Sequence, residues 1–306
     1  MDLDYFLESR PMLRFYSKEI LKYADDETIF EVKINKPEEV ITKDIFGNRK
    51  IYVDESLSLS YLKQFVTLLA NAHDIDLESK NAVSLEFGTG NRVTIVGGKL
   101  SRHEFSMNLR LNRSKPIVFE EVIKDEALRE ELKQAVIAKK TILIAGSTGS
   151  GKTTLLNALV SQIPHNETIL TLEGIPEIKC NHPDWCSIVY DEHSRSSSAA
   201  EALNEAMRLN PDRIIVGEIR KENAFILNRA IESAHEGSMA TIHADSYESA
   251  LRAVTQYAVI NGNIDSTSQD SLYRILEEKI DMVVLAKRTD SSISYSIAKK
   301  KEMIDA

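Results

Sequence analysis

A glycine-rich turn between an apolar run and a helical pattern limits the possible folds of this chain more than any other feature. Residues 146–153 read GSTGSGKT and fit the pattern G-x-x-x-x-G-K-[ST]. In such a loop the glycines let backbone N–H groups converge on phosphate oxygens, and the helix that follows directs its positive end at them. The apolar residues 141–145 supply the strand that the motif requires before it. We therefore predict a site for a nucleoside triphosphate.

The residues of this loop have individual predicted roles. Lys152 reaches the β- and γ-phosphate oxygens, and Thr153 places its hydroxyl on Mg²⁺. GTPases normally carry a base-reading N-K-x-D motif after the loop, and this sequence has none there, so ATP is the predicted nucleotide. The expected nucleotide-binding residues of the loop are Gly146, Ser147, Thr148, Gly149, Ser150, Gly151, Lys152, Thr153 and Thr154.

The sequence pattern changes near residue 114, which predicts two domains. A chain of 306 residues is too long for one ordinary core. Residues 1–113 combine strand-like runs with one helical stripe and predict an α+β domain. Residues 114–123 begin with Ser-Lys-Pro and predict a linker, because proline forces the preceding residue out of a helix. Residues 124–306 alternate helices with strands, which predicts an α/β domain with a mostly parallel sheet.

Charge and composition exclude several classes of protein. The net charge of −9 argues against a general binder of nucleic acid or of anionic membranes, because attraction to phosphate needs a positive surface. No segment approaches the run of roughly 18 apolar residues that spans a membrane. The beginning, MDLDYFLESRP, lacks the basic start and apolar stretch of a signal peptide. Two cysteines in a chain of this length are typical of a reducing compartment, so we predict a cytoplasmic protein.

A second candidate site residue follows a strand pattern downstream of the loop. In RLNPDRIIVGEIR (208–220), Ile214-Ile215-Val216 predicts a buried strand that ends at Gly217-Glu218. Ligands bind at the carboxyl ends of the strands in sheets of this kind. We predict that Glu218 holds a Mg²⁺-bound water or orients the attacking water.

Two histidines, His235 and His243, flank a run of small and apolar residues in AHEGSMATIHADS (234–246). The residues alone leave three interpretations open, namely a metal site, a pair of buried hydrogen-bonded rings, or a sensor of a ligand bound elsewhere. A metal site needs third and fourth ligands that this stretch lacks.

The motifs GSTGSGKTT, LEGIPEI, RLNPDRIIVGEIR and AHEGSMATIHADS together resemble the secretion ATPase superfamily of type II and type IV secretion. The resemblance is strongest to the traffic ATPases of type IV secretion and conjugation systems, and it covers most of residues 141–260. It implies an N-terminal domain hinged to a RecA-like ATPase domain. It further implies a homo-oligomer, a hexameric ring at the inner face of the cytoplasmic membrane, with other components of a secretion system as partners.

The resemblance also implies roles for residues outside the phosphate loop. His243 is the candidate sensor of the bound phosphates, and His235 corresponds to the first histidine of the family's histidine box. Glu173 and Glu177 correspond to the acidic box and are candidate catalytic residues. The sequence departs from the family pattern at Gly174, where an aspartate is usual, at Asn210, where an arginine is usual, and at Ala234, where a glycine is usual.

Arginines of the N-terminal half form a further candidate group. The segments GNRVTIV (90–96) and MNLRLNRS (107–114) resemble places where the family sends arginines onto the nucleotide. A guanidinium that reaches the γ-phosphate stabilises developing charge and links nucleotide state to domain angle. The candidates are Arg92, Arg110 and Arg113.

The segment CNHPDWC (180–186) suggests a different kind of site. Its zinc-binding candidates, together with one histidine further along the chain, are Cys180, His182, Cys186 and His193. The C-x₅-C spacing is wider than that of structural zinc sites, so we predict a surface loop.

Three functions share the core motifs. The first is a motor ATPase that powers assembly of, or transport through, a type IV secretion or conjugation system. The second is a motor for pilus assembly or retraction. Retraction motors usually carry a helical signature after the core, whereas residues 261–306 predict one helix (268–279) and two strands (282–286 and 293–298). The third is a RecA-like nucleic-acid motor, against which the acidic charge argues.

Overall fold

The computed structural model of the chain describes residues 3–44, 47–76, 82–88, 90–112, 118–190, 198–233, 235–262, 265–289 and 292–298. The chain divides into two compact units, Met1–Lys115 and Pro116–Ala306. The division falls within the predicted linker of residues 114–123. Phe119–Val122, in the second half of that predicted linker, forms a short helix, and Phe119 is buried in the core of the second unit.

The first unit is an antiparallel sheet with helices. Its sheet has the order β3-β2-β1-β6-β5-β4, and every adjacent pair is antiparallel. The helices are α1 (Leu3–Glu8), α2 (Pro11–Leu21) and α3 (Leu59–Asn71), with 3₁₀ turns at Lys22–Ala24 and Gly98–Leu100. The strands are β1 (Ile29–Lys36), β2 (Glu39–Asp44), β3 (Arg49–Val53), β4 (Ala82–Glu86), β5 (Arg92–Gly97) and β6 (Phe105–Arg110).

Periodicity explains which face of this sheet is buried. Along β6 every second side chain, from Phe105 through Met107 to Leu109, joins the same buried cluster as the helices. Helix α3 starts where the side chain of Ser58 accepts a hydrogen bond from the N–H of Tyr61. Helix α2 starts at Pro11, a position at which proline loses no helical hydrogen bond.

The second unit is a seven-stranded sheet with helices on both faces. Its helices are α4 (Phe119–Val122), α5 (Glu126–Ile137), α6 (Lys152–Val160), α7 (Ala199–Arg208), α8 (Ala224–Glu232), α9 (Tyr247–Ile260) and α10 (Gln269–Lys279), with a 3₁₀ turn at Ser266–Ser268. Its strands are β7 (Ile142–Gly146), β8 (Ile169–Glu173), β9 (Trp185–Val189), β10 (Arg213–Ile219), β11 (Met239–Ile242), β12 (Met282–Arg288) and β13 (Ile293–Ala298).

The order of this second sheet is β13-β12-β7-β11-β10-β8-β9. All adjacent pairs are parallel except β12 and β13, which form an antiparallel hairpin. Strand β7 is buried along its whole length, with Leu143 and Ala145 in one hydrophobic cluster and Ile142 and Ile144 in the other. Burial on both faces explains why the strand reads as a continuous apolar run.

Parallel strand direction brings the predicted site residues to one edge of the sheet. The phosphate loop follows β7, Glu173 ends β8, Glu218 lies near the end of β10, and His243 follows β11. These four strands are consecutive in the sheet. The carboxyl edge of the four strands is therefore the place where these residues meet.

Candidate nucleotide-binding and catalytic site

The phosphate loop depends on glycine at three positions. Gly149 and Gly151 have φ angles of +73° and +93°, in the left-handed region that glycine adopts without strain. At Gly146 a Cβ atom would lie 2.4 Å from the carbonyl oxygen of Ala286. Residues 147–149 are exposed, whereas Ser150 is fully buried. The loop is thus shaped by its glycines and open to solvent on the side of residues 147–149.

Lys152 is the first residue of α6, and its side chain is turned into the loop. Its ammonium group donates hydrogen bonds to the carbonyl oxygens of Gly146 and Ser147, at 3.0 Å each. The same nitrogen lies 3.3 Å from Nδ1 of His243. Thr153 and Thr154 follow on the same helix, and Thr154 is exposed.

Glu218 lies on the other side of His243. Nε2 of His243 is 2.8 Å from Oε1 of Glu218, and Nε of Arg220 donates to Oε2 at 2.7 Å. Burial alone would raise the pKa of Glu218. The positive charge of Arg220, together with His243 and Lys152, outweighs burial and lowers the pKa below its ordinary value. Glu218 is therefore ionised at neutral pH, within a line of contacts that runs from Lys152 to Arg220.

Glu173 occupies a drier environment than Glu218. Its side chain is buried, and Oε1 accepts hydrogen bonds from the N–H groups of Glu177 and Ile178 at 2.8 Å each. Oε2 is buried without a hydrogen-bond partner among the residues that the structure describes. Burial raises the pKa of Glu173 to about 7 in spite of the two N–H donors. A Cβ on Gly217 would lie 3.0 Å from Cγ of Glu173, so glycine at 217 leaves room for this carboxyl group beside β10.

Glu177 lies beside the phosphate-loop helix. Its Oε2 accepts a hydrogen bond from the hydroxyl of Thr153 at 3.2 Å. Asn157, buried on α6, donates to the carbonyl oxygens of Thr153 and Glu177 at 3.0 and 3.1 Å. The Oδ1 of Asn157 accepts the N–H of Lys179 at 2.6 Å. Asn157 therefore attaches the acidic segment to the loop helix.

Asn157 is absent from the residues predicted for the site. Its signal in the sequence is a polar residue on the buried side of the apolar run LLNALV (155–160). A buried amide that must satisfy its hydrogen bonds is usually tied to nearby backbone, as this one is.

The turn after β10 is held by Asn223 and Tyr190, two buried residues that the sequence analysis did not identify. Asn223 donates to the carbonyl oxygen of Glu218 at 2.8 Å and accepts the N–H of Arg220 at 2.7 Å. Its Nδ2 also donates to the hydroxyl of Tyr190. The N–H of Tyr190 donates to the carbonyl oxygen of Glu173 at 3.0 Å. Tyr190 and Asn223 thus connect the strand ends that carry Glu173 and Glu218.

The two histidines of AHEGSMATIHADS lie at opposite ends of β11. His243 follows the carboxyl end and enters the site, whereas His235 precedes the amino end. Nδ1 of His235 is buried without a hydrogen-bond partner in the described part of the chain. The two rings are therefore separated by the length of a strand and do not form one binding site.

For the zinc-binding candidates around CNHPDWC, where the sequence predicts a surface loop, the structure gives partners other than a metal. The ring nitrogens of His182 lie 2.9 Å from the carbonyl oxygen of Pro164 and 3.2 Å from that of Asp184. Cys186 lies on the edge strand β9, so the end of the predicted loop is a strand. His193 is outside the described residues. Within the described ranges, no group of three or more His, Cys, Asp or Glu side chains is arranged to hold a metal ion.

Two of the three candidate N-terminal arginines lie on the sheet of the first unit. Arg92 on β5 and Arg110 on β6 are register partners. The guanidinium of Arg92 donates to the hydroxyl of Ser84 at 3.2 and 3.3 Å, and Arg110 is exposed. Arg113 lies outside the described residues.

Comparison with known proteins gives the same family that the motifs indicate. Residues 101–290 match the family model described as "Type II/IV secretion system protein". The Type IV secretion system protein VirB11 of Bartonella quintana (strain Toulouse) is 30% identical, and the similarity covers 90% of this chain and 89% of that protein.

Two solved structures share the fold. The Legionella pneumophila ATPase DotB is 19% identical and has a TM-score of 0.65, with 92% of this chain and 79% of that chain covered. The pilus retraction motor PilT with bound ADP is 18% identical and has a TM-score of 0.65, with 94% and 83% covered. The predicted fold class, an N-terminal α+β domain followed by a RecA-like P-loop domain with a mostly parallel sheet, is confirmed. The chain belongs to the type II/IV secretion system protein family, and it is an ATPase.

Proposed function

We propose that this chain is the ATP-hydrolysing motor of a type IV secretion system. The observation that carries the proposal is the line of contacts from the phosphate-loop Lys152 through His243 to the ionised Glu218. The similarity to a type IV secretion protein over nine-tenths of this chain supports the choice of system.

In this proposal the loop from Gly146 to Thr154 binds the phosphates of ATP. The N–H groups of the loop and the start of α6 face the phosphate charge. Lys152 exchanges its contacts with the loop carbonyls for contacts with the β- and γ-phosphates. His243, which touches both Lys152 and Glu218, responds to that exchange.

The buried Glu173 and the half-buried Glu218 have different roles toward the attacking water in this proposal. A general base acts best when its pKa lies near the working pH, and the pKa of Glu173 is about 7. The Oε2 atom of Glu173, which has no hydrogen-bond partner among the described residues, is the acceptor for a proton of the attacking water. Glu218 stays ionised and orients that water or holds the ion, and Glu177 fixes the Thr153 hydroxyl.

The site has the oxygen donors that Mg²⁺ prefers. The Thr153 hydroxyl and the Glu218 carboxylate are hard oxygen ligands at the carboxyl edge of the sheet. We propose that these two residues hold the ion, directly or through its water. When bound, Mg²⁺ neutralises charge on the phosphate oxygens.

We further propose that the protein works as a homo-oligomer, a ring of six copies at the inner face of the cytoplasmic membrane, with other components of the secretion system as partners. Membership of the family supports the ring and the partners. No helix in the described part of the chain is long and apolar enough to cross a bilayer. Direct contact with nucleic acid is not expected at a net charge of −9.

A pilus motor is the second candidate. The fold shared with the pilus retraction motor PilT favours it, although fold alone does not choose between systems. Deletion of the gene in its native host separates the two. Loss of substrate translocation with normal pilus extension and retraction supports the secretion motor, and the reverse result supports the pilus motor.

Two substitutions test the enzymatic part of the proposal. Lys152→Ala should abolish ATP hydrolysis, because the lysine neutralises the phosphate charge. Glu218→Gln should bind ATP but hydrolyse it far more slowly, because the amide keeps the shape and loses the charge. Hydrolysis by Lys152→Ala at the wild-type rate would contradict the proposed function. Loss of ATP binding in Glu218→Gln would instead assign Glu218 a structural role.

The N-terminal arginines Arg92, Arg110 and Arg113 stay a prediction from the resemblance. A contact that exists only with the γ-phosphate strengthens ATP binding and leaves ADP binding unchanged. Arg110→Ala is therefore expected to weaken binding of ATP more than binding of ADP. Paired titrations with the two nucleotides measure this, and equal losses would remove these arginines from the site.

A further inference from the structure

The hairpin of β12 and β13 contacts all three structural glycines of the phosphate loop. Along β12, Ala286 is the register partner of Gly146, and its carbonyl oxygen occupies the space where a Cβ of Gly146 would lie. Two residues further on, Arg288 donates from Nη1 to the carbonyl oxygen of Gly149 at 3.2 Å. On β13, the hydroxyl of Tyr295 donates to the carbonyl oxygen of Gly151 at 3.3 Å.

The contact at Gly151 is held by packing as well as by the hydrogen bond. A Cβ on Gly151 would lie 2.8 Å from the Tyr295 hydroxyl and 3.1 Å from the side chain of Ile293. Burial raises the pKa of Tyr295 to about 12, so its hydroxyl keeps the proton that it donates. The Gly151 carbonyl also accepts the N–H of Leu155 at 2.9 Å within α6.

These carbonyl contacts determine where the neighbouring N–H groups point. A peptide unit is planar, and in the trans form its C=O and N–H bonds are directed oppositely. Contact of the Gly149 carbonyl with Arg288 turns the N–H of Ser150 away from the hairpin, where it donates to the carbonyl oxygen of Ser147 at 3.2 Å. Bound phosphate would take the place of that carbonyl oxygen. Contact of the Gly151 carbonyl with Tyr295 likewise turns the N–H of Lys152 away from the hairpin. N–H groups at these positions are the donors that such loops offer to phosphates.

We propose that Arg288 and Tyr295 are positioning residues for the phosphate site and act through the carbonyl groups of Gly149 and Gly151. The inference rests on the proposed function, because it assumes that the loop binds the phosphates of ATP. Coupling between two sites is reciprocal. Bound nucleotide therefore stabilises the hairpin to the same extent that the hairpin strengthens nucleotide binding.

The decisive variant is Arg288→Gln, with Lys287→Gln as its matched control. Lys287 is the exposed neighbour on the same strand, and neighbouring strand residues face opposite sides. Both variants lose one positive charge, but only Arg288→Gln loses the contact with Gly149. Arg288→Gln is expected to raise KM for ATP and Kd for ADP by roughly three- to tenfold, the range of one hydrogen bond. Its kcat at saturating ATP should stay within about twofold of wild type.

Two further variants separate positioning from general stability. Arg288→Lys should recover part of the affinity, because one N–H donor is enough to hold the Gly149 carbonyl. Tyr295→Phe keeps the ring against Gly151 and should raise KM less than Arg288→Gln, since the Leu155 N–H still binds that carbonyl. Hydrogen exchange of residues 285–298 should slow when ADP binds to the wild type, and should slow less in Arg288→Gln.

The possible outcomes distinguish this inference from the proposed function. If wild type hydrolyses ATP, Lys152→Ala does not, and Arg288→Gln behaves like Lys287→Gln, the positioning role is wrong and the ATPase stands. A lower kcat at unchanged KM also overturns the inference, because Arg288 would then act on the reaction itself. If Arg288→Gln proves unstable, Tyr295→Phe decides, and a wild-type KM in that variant rejects the proposal.

Discussion

Nε2 of His243 lies 2.8 Å from Oε1 of Glu218, at the carboxyl edge of the parallel sheet. To donate to a carboxylate, Nε2 must carry a proton, and in the neutral ring Nδ1 is then an acceptor. Nδ1 faces the ammonium of Lys152 at 3.3 Å, which supplies the matching donor, and lies 3.2 Å from the carbonyl oxygen of Gly146, to which Lys152 also donates. The neutral ring can therefore connect both charged groups at once.

This relationship predicts a specific defect when His243 is replaced. His243→Gln can keep one of the two contacts but cannot span both. ATP binding should persist, while kcat should fall about 10- to 100-fold, the effect of losing a hydrogen bond to a charged group. Steady-state kinetics and nucleotide titration measure the two quantities. The control is His165→Gln, which changes an exposed histidine before β8. An equal kcat in the two variants would show that His243 does not link Lys152 to Glu218.

The buried Glu173 should make stability depend on pH in the absence of nucleotide. Its folded-state pKa of about 7 lies above the ordinary value of 4.5, so the folded protein keeps a proton that the unfolded chain loses. Stability therefore falls as the pH rises from about 5 through 7, by at most about 3 kcal/mol. Urea unfolding can be followed by fluorescence of Trp185, the one tryptophan of the chain. In Glu173→Gln the unfolding free energy should no longer fall between pH 5 and 7. An unchanged fall would show that Glu173 is not its cause.

The buried ion pair between Arg213, at the amino end of β10, and Glu167 should stabilise the fold and should not affect nucleotide binding. Arg213 is fully buried, and two of its nitrogens donate to the carboxylate of Glu167 at 2.8 Å each. A third bond joins it to the carbonyl oxygen of Val136 at 2.7 Å. Arg213→Ala leaves the buried carboxylate with Lys139, at 3.2 Å, as its remaining cationic partner, and should cost up to about 3–5 kcal/mol of unfolding free energy.

The double variant Arg213→Met/Glu167→Leu serves as the control for Arg213→Ala. It removes both charges and should recover much of the lost stability, as buried ion pairs replaced by apolar groups often do. Trp185 fluorescence in urea compares the two variants. If the double variant were less stable than Arg213→Ala, the loss of the Val136 contact would outweigh the buried charge.

In the first unit, Asp54 should make stability sensitive to acid. Burial alone would raise the pKa of Asp54, but hydrogen bonds from Lys22, Ser56 and Tyr23 outweigh burial and lower the pKa below its ordinary range. A lowered pKa stabilises the fold above the unfolded value near 4, and that stability is lost as the pH falls below it. Asp54→Asn should cost about 1–3 kcal/mol at pH 7 and reduce the loss in acid.

Circular dichroism in urea between pH 3 and 7 measures this change, with Trp185 fluorescence as a separate record of the second unit. Asp25→Asn, which changes an exposed aspartate two residues after Tyr23, is the control. If both substitutions had the same effect, the hydrogen bonds to Asp54 would not contribute to the loss of stability in acid.

The site could be predicted from sequence where its residues belong to local patterns. The phosphate loop lies between a strand and a helix, and Glu218 and His243 follow short apolar strands. Each of these signals spans fewer than about twenty residues, and parallel strand direction brings them together. The hairpin strands 282–288 and 293–298 also agree closely with the predicted ranges 282–286 and 293–298.

Contacts between distant residues could not be predicted in this way. Asn157 and Asn223 are ordinary polar residues in sequence, and only the fold shows which carbonyl and N–H groups they bind. The contact of Arg288 with Gly149 joins residues 139 positions apart. No local pattern indicated α1 and α2, and the predicted loop 180–186 ends in an edge strand because Trp185 pairs with Ile169.

The position of β11 between β7 and β10 has a consequence for the size of the reaction chamber. Because β11 lies between them, β7, which precedes the phosphate loop, and β10, which carries Glu218, are two interstrand spacings apart. This distance is roughly 9.5 Å. Backbone pairing sets this separation of β7 and β10 before any ligand binds. Side-chain substitutions at the edge can alter charge and proton affinity there but cannot widen or narrow the gap. The ring of His243, carried by the strand between them, therefore spans a distance between Lys152 and Glu218 that the backbone of the sheet has already set.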